Sequence, residues 1–133
     1  MATVRTDHTW SIPTLDTAQL LSPWTPTRMF EFSERDTPQW AGGQTLSFEP
    51  RAQHMAELPY LFDFKIPLFE ELTAQQQTLG KRMTDTWVDF ARTGKTDWPA
   101  FRNRDHVQSL TSGPWKRADF SKDHDYTFWK NLH

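Results

Sequence analysis

Five histidines carry most of the chemistry this chain can offer: His8, His54, His106, His124 and His133. Three of them directly follow an aspartate, as Asp7-His8, Asp105-His106 and Asp123-His124. Adjacent side chains point apart on a helix or a strand, so such pairs make poor bidentate ligands. They are expected as solvated surface pairs, not as metal sites. His54 and Glu57 stand three apart and would share a helical face. A metal needs more ligands than these two, and no third one has a defined position. Zero cysteines remove the thiolate metal site, the disulfide framework and the cysteine nucleophile together. No Gly-x-Ser-x-Gly elbow, phosphate-cradling glycine loop or His-Glu-x-x-His occurs. Neither metal nor cofactor is expected. Serines stand at 11, 22, 33, 47, 109, 112 and 121. Ser47 is nearest His54, but no helix N-terminus is expected behind it.

The elements that would position these groups are uneven in clarity. Residues 73 to 93 predict the longest helix. Thr73 and Gln76 match a capping box, Thr-x-x-Gln. Leu79, Met83, Trp87 and Phe90 then step by four, four and three, which gives one apolar face read as core. Gly94 stands where a left-handed C-cap belongs, and Gly80 inside the pattern weakens it slightly. A shorter helix is expected over 14 to 21, between Pro13 and Ser22-Pro23. Thr27 to Phe32 is the best strand candidate, since Phe30 and Phe32 share a face, and Ser33 to Pro38 closes it. Residues 38 to 53 read as a long loop with Gly42-Gly43, and long loops in compact domains are often functional. His54 ends that loop. After Lys95 the chain reads as loop, finishing in the aromatic cluster Tyr126, Phe128 and Trp129.

Composition narrows the class. The 133 residues suit one domain. Fifteen Lys and Arg against seventeen Asp and Glu leave a charge of −2. That balance argues against nucleic-acid or polybasic membrane partners. Mean hydropathy is −0.77, and no apolar run approaches the roughly 20 residues of a spanning helix. Met1 to Asp7 shows no apolar signal region, so a soluble, cytoplasmic chain is expected. Ten Phe, seven Trp and two Tyr dominate the apolar set, while Ile and Val together number five. A buried parallel sheet is normally rich in Val and Ile. The chain is therefore expected as helix and loop, with the strand over 27 to 32 lacking a partner. Aromatic surface left bare would make it marginally stable or self-associating.

Arg51-Ala52-Gln53-His54-Met55-Ala56-Glu57-Leu58-Pro59-Tyr60-Leu61-Phe62 resembles the catalytic-histidine segment of type-B carboxylesterases, the cholinesterase-like α/β-hydrolases. Three more stretches follow in the family's order. Trp24 to Arg35 resembles the strand and turn before the histidine loop. Arg82-Met83 through Trp87 and Phe90 to Gly94, with Trp98-Pro99 after them, resemble the long helix that follows. Asp123-His124 with Phe128-Trp129 resembles the C-terminal end, and Thr6-Asp7 to Pro13 is weakly similar. Arg51 stands where many relatives have Gly, and Met55 where they have Gly or another small residue. The stretch from Gly94 to Trp98 is shorter than usual.

The resemblance implies an α/β class: residues 1–133 as the C-terminal portion of an α/β-hydrolase domain. It would be mostly helix and loop, with about one core strand and an incomplete sheet. The family's nucleophile elbow, oxyanion-hole glycines, acidic triad member and most of its sheet lie upstream of these motifs. None stands in this sequence, which resembles the last quarter of an esterase. The resemblance makes His54 the catalytic histidine, general base and then general acid. Glu57, three residues on, is badly spaced as its orienter and is read as a structural carboxylate bonding backbone or loop polar groups. Tyr60, Phe62 and Phe64 would line an acyl or alcohol pocket in the parent fold, with packing their default role. The implied partner is a carboxylic ester, bound once an upstream hydrolase part completes the site. A different class stays open: a stand-alone aromatic-rich module that binds a ligand or partner without catalysis.

Overall fold

A computed structural model describes residues 2–38, 51–62, 70–102 and 106–132. Helix α1 (Ala2–Thr6) continues through a π-helical stretch, Asp7–Ser11, into α2 (Ile12–Leu21). Pro13 lies in the first turn of α2, at its junction with the π-helical stretch. Strand β1 (Met29–Phe32) follows, then the single-turn helix α3 (Leu58–Leu61) and the long helix α4 (Ala74–Thr93). Strands β2 (Val107–Leu110) and β3 (Lys116–Ala118) precede the short helices α5 (Phe120–Asp123) and α6 (Tyr126–Lys130).

Helix α4 carries the predicted signals at both ends. Gln76 N–H donates to Thr73 Oγ1 at 3.3 Å, and Thr73 N–H donates to Gln76 Oε1 at 2.8 Å. Gly94 closes the helix at φ 68°, a left-handed conformation that costs glycine nothing. The mixed helix and small open sheet is the partial α/β arrangement expected. Its strand count is not. Among the described residues three strands stand in the order β1-β2-β3, so β1 has a neighbour. β2 and β3 pair antiparallel, with Val107 opposite Ala118 and Ser109 opposite Lys116. The stretch after Lys95, read as loop, thus supplies two strands and two helices.

Contacts divide the chain into two compact units. The first comprises residues 1–31, 98–109 and 116–133. Ile12, Leu15 and Ala18 bring one face of α2 into its core, and Phe120, Tyr126 and Trp129 fill the core from α5 and α6. Tyr126 is buried, and its hydroxyl donates to Asp16 Oδ1 at 2.8 Å, which satisfies the polar end of a ring otherwise in apolar surroundings.

The second unit comprises residues 32–97 and 110–115. Leu79 and Met83 of α4, Tyr60 of α3 and Leu110 form its buried centre, with Trp87 packed against it. Phe90, read as core, is 43% exposed, so the buried face of α4 is shorter than its apolar stripe. Gly80, which looked like a weak point, has a packing role. A Cβ there would lie 2.8 Å from the Tyr60 carbonyl oxygen. Only glycine lets α3 come this close to α4.

Candidate active site

His54 is set by what lies on either side of it in the chain. β1 ends at Phe32, and Ser33 N–H donates to the Leu110 carbonyl at 2.9 Å. The chain then turns through Glu34, Arg35, Asp36 and Thr37. Glu34 is only 6% exposed and organises this turn with its carboxylate. Its Oε1 accepts the N–H groups of Arg35 at 2.9 Å and Asp36 at 3.0 Å. Its Oε2 accepts the N–H of Ser112 at 2.6 Å and the Ser112 hydroxyl at 2.5 Å. Burial pushes the Glu34 carboxyl up, but the donors from Ser112, Asp36 and Arg35 together outweigh it. The group is held below the ordinary glutamate range and stays ionised.

The next residues join this turn to the helices. The Asp36 carbonyl accepts the Tyr60 hydroxyl at 3.2 Å and Gln76 Nε2 at 2.7 Å. Burial, helped by the Glu34 and Asp36 carboxylates, pushes the Tyr60 phenol well above its usual value, so it remains a donor. The Thr37 hydroxyl donates to the Arg51 carbonyl at 2.8 Å. That carbonyl also accepts Gln53 N–H at 2.9 Å, and Gln53 in turn accepts Ala56 N–H at 2.9 Å. His54 and Met55 are the two central residues of this last turn. Arg51 (φ 52°) and Met55 (φ 70°) both occupy the left-handed region without being glycine. His54 itself is exposed.

Other expected site residues fare differently. Glu57 is the half-buried N-cap of α3 and makes no side-chain cap bond there. Tyr60 is buried in the second unit's core and Phe62 is exposed, while Phe64 and Ser47 fall outside the described residues. The Ser112 hydroxyl is taken up by the Glu34 carboxylate. The reading of Asp7 and His124 as members of solvated surface pairs needs correction. They bond each other: His124 Nδ1 lies 2.6 Å from Asp7 Oδ1, with Asp7 3% exposed. His124 Nε2 lies 3.1 Å from Glu31 Oε1. Burial pulls the imidazole down, yet the Glu31 and Asp7 carboxylates more than reverse this and its pKa is raised. Oxygen acceptors at both ring nitrogens suit the doubly protonated ring.

Glu34, Thr37, Ser112 and Gln76 went unnoticed as a group in the sequence. The only signal was local: Ser33 to Pro38 is dense in turn formers, and Gln76 already had a part in the capping box.

The turn carrying His54, between a sheet strand and a one-turn helix, lies inside a long stretch that fits one family model. The model is that of the carboxylesterase family, and it matches residues 1–129. The chain belongs to the carboxylesterase family. Human (Homo sapiens) cocaine esterase is 27% identical to this carboxylesterase-family chain over 134 aligned positions. The match takes in 93% of the chain and 23% of that relative, so the chain spans under a quarter of the relative's length.

Proposed function

We propose that this chain is the C-terminal segment of a serine carboxylesterase and that His54 is its catalytic base. The observation that carries the reading is the setting of His54. It is exposed on a turn just before α3, and that turn is tied through Arg51 to Thr37 in the turn that follows β1. An imidazole so presented takes the proton from a serine hydroxyl as the oxygen attacks an ester carbonyl. It returns that proton to the departing alcohol, then repeats the cycle with water to release the acid. The serine must lie within about 3 Å of the imidazole. An acid must orient the ring, and backbone N–H groups must hold the oxyanion. These groups would come from an upstream segment, since no elbow motif stands in this sequence.

The isolated chain is therefore expected to hydrolyse p-nitrophenyl acetate no faster than imidazole at equal concentration. An absent oxyanion donor alone costs roughly 100- to 1,000-fold. Joined to an upstream hydrolase segment bearing serine and acid, it should gain activity that an organophosphate blocks. His54→Ala should abolish the gain, while His106→Ala should leave it. Organophosphate-sensitive turnover by the isolated chain would sink the reading. The alternative, a binding module without catalysis, draws on exposed aromatic residues such as Trp24, which is 87% exposed. It would be favoured if the joined protein stayed inactive.

A further inference from the structure

We propose that Thr37 is a positioning residue for the His54 imidazole, acting through the carbonyl of Arg51. The inference rests on the esterase reading for what the imidazole is positioned to do. Its physical basis is the turn itself. Two non-glycine residues held at positive φ, Arg51 and Met55, bracket His54, and such conformations persist only where their surroundings over-determine them. The His54 ring is exposed, and the backbone that carries it bears on where it points. The Arg51 carbonyl accepts two bonds, from Gln53 N–H inside the turn and from the Thr37 hydroxyl outside it. The hydroxyl is a tie from beyond the turn, and its owner is well anchored. Thr37 is 3% exposed and directly follows Asp36, whose N–H is held by Glu34 and whose carbonyl is held by Tyr60 and Gln76. A catalytic group needs placement to about 0.5 Å, and the anchored segment at Asp36 and Thr37 contributes to it.

The test uses the full chain and needs no turnover. Positive φ brings a residue's own amide and α-protons unusually close, so their cross-relaxation in NMR spectra reports the conformations of Arg51 and Met55. Thr37→Val deletes the hydroxyl and should reduce that cross-relaxation at both residues by roughly half or more as they relax to ordinary φ. The His54 ring protons should shift and broaden with it. Thr37→Ser keeps the hydroxyl and should restore both signals. Thr37→Ala removes the hydroxyl without setting a methyl against the carbonyl. It should behave as Thr37→Val does and serves if the valine variant fails to fold. Variants that lower the melting temperature but leave the Arg51, Met55 and His54 signals unmoved would overturn the inference. So would a serine variant no better than the valine one. Failure of the esterase reading appears elsewhere, as a joined protein indifferent to His54→Ala, whatever the Thr37 variants do.

Discussion

Arg51 and Met55 show what a single residue type costs where the backbone is left-handed. A side chain at positive φ meets its own carbonyl, at about 1–2 kcal/mol per residue. Glycine avoids this but loses roughly 0.5–1 kcal/mol in chain entropy. The balance favours glycine at both sites by a fraction of a kcal/mol to about 1. Met55→Gly should therefore raise the melting temperature by about 1–5 °C in a thermal scan. A fall would mean that the methionine side chain contributes packing there. These two positions were legible beforehand, as places where the family resemblance wants small residues. Glu34 was not. A buried carboxylate is recognisable only by the N–H groups that converge on it, and Ser112 is far along the chain. Glu34→Gln cannot accept all four donors and should cost about 2–3 kcal/mol by chemical denaturation. The Glu34 carboxyl sits below its unfolded value, so its contribution is complete above about pH 4.5. It fades as pH falls through the lower, folded value.

At the scale of elements, α4 and the sheet contrast in how readable they are. The α4 helix declares itself through its cap, its apolar steps and Gly94. Strand β2 hides because alternation is missing: three of its four residues are buried, including Gln108. Gln108 is tolerated inside because its Nε2 donates to the Lys116 carbonyl at 2.8 Å and its Oε1 meets His106. A polar residue in a core position erases the period-two signal. Helices α5 and α6 hide for another reason, being one turn each and too short for a 3.6-residue period. Gly80→Ala sets two effects against each other. Alanine gains about 1 kcal/mol in helix propensity, but its Cβ meets the Tyr60 backbone, and such overpacking costs about 1–3 kcal/mol. The contact is with backbone, which cannot rotate away, so net destabilisation is expected and denaturant titration reads it.

His124 makes the elements of the first unit sensitive to pH. It lies at the end of α5 and bonds Asp7 of the π-helical stretch and Glu31 of β1. Its folded pKa is raised, so the stability it contributes is full below the unfolded value near 6.5. That contribution is lost as pH rises through the folded value. Between pH 6 and pH 9 the wild-type chain should lose stability, while His124→Asn should start lower and change less. Parallel curves would contradict the charged state assigned to the ring. The sequence concealed this cluster because Asp7 and His124 each sit beside another acid–histidine neighbour, which made the distant pairing look unnecessary.

For the molecule as a whole, the aromatic excess is only partly absorbed. Tyr126, Phe101 and Trp129 are buried, but Trp10, Trp24, Phe30 and Phe128 are not. Each large aromatic left in water forgoes on the order of 2 kcal/mol of transfer free energy. Sedimentation velocity should show the mean coefficient rising with concentration, and Trp24→Ser should lessen the rise. A concentration-independent monomer would show that the exposed rings are too dispersed to act as a patch. One side chain also decides how the second unit breathes. The Gln76 amide closes the α4 cap with its oxygen and holds the Asp36 carbonyl with its nitrogen. Fraying of the first helical turn should loosen the segment that anchors Thr37. Amide hydrogen exchange at Thr73, Gln76 and Asp36 should then share a single opening free energy and a single denaturant slope. The start of a helix and the aim of a distant imidazole become one cooperative event.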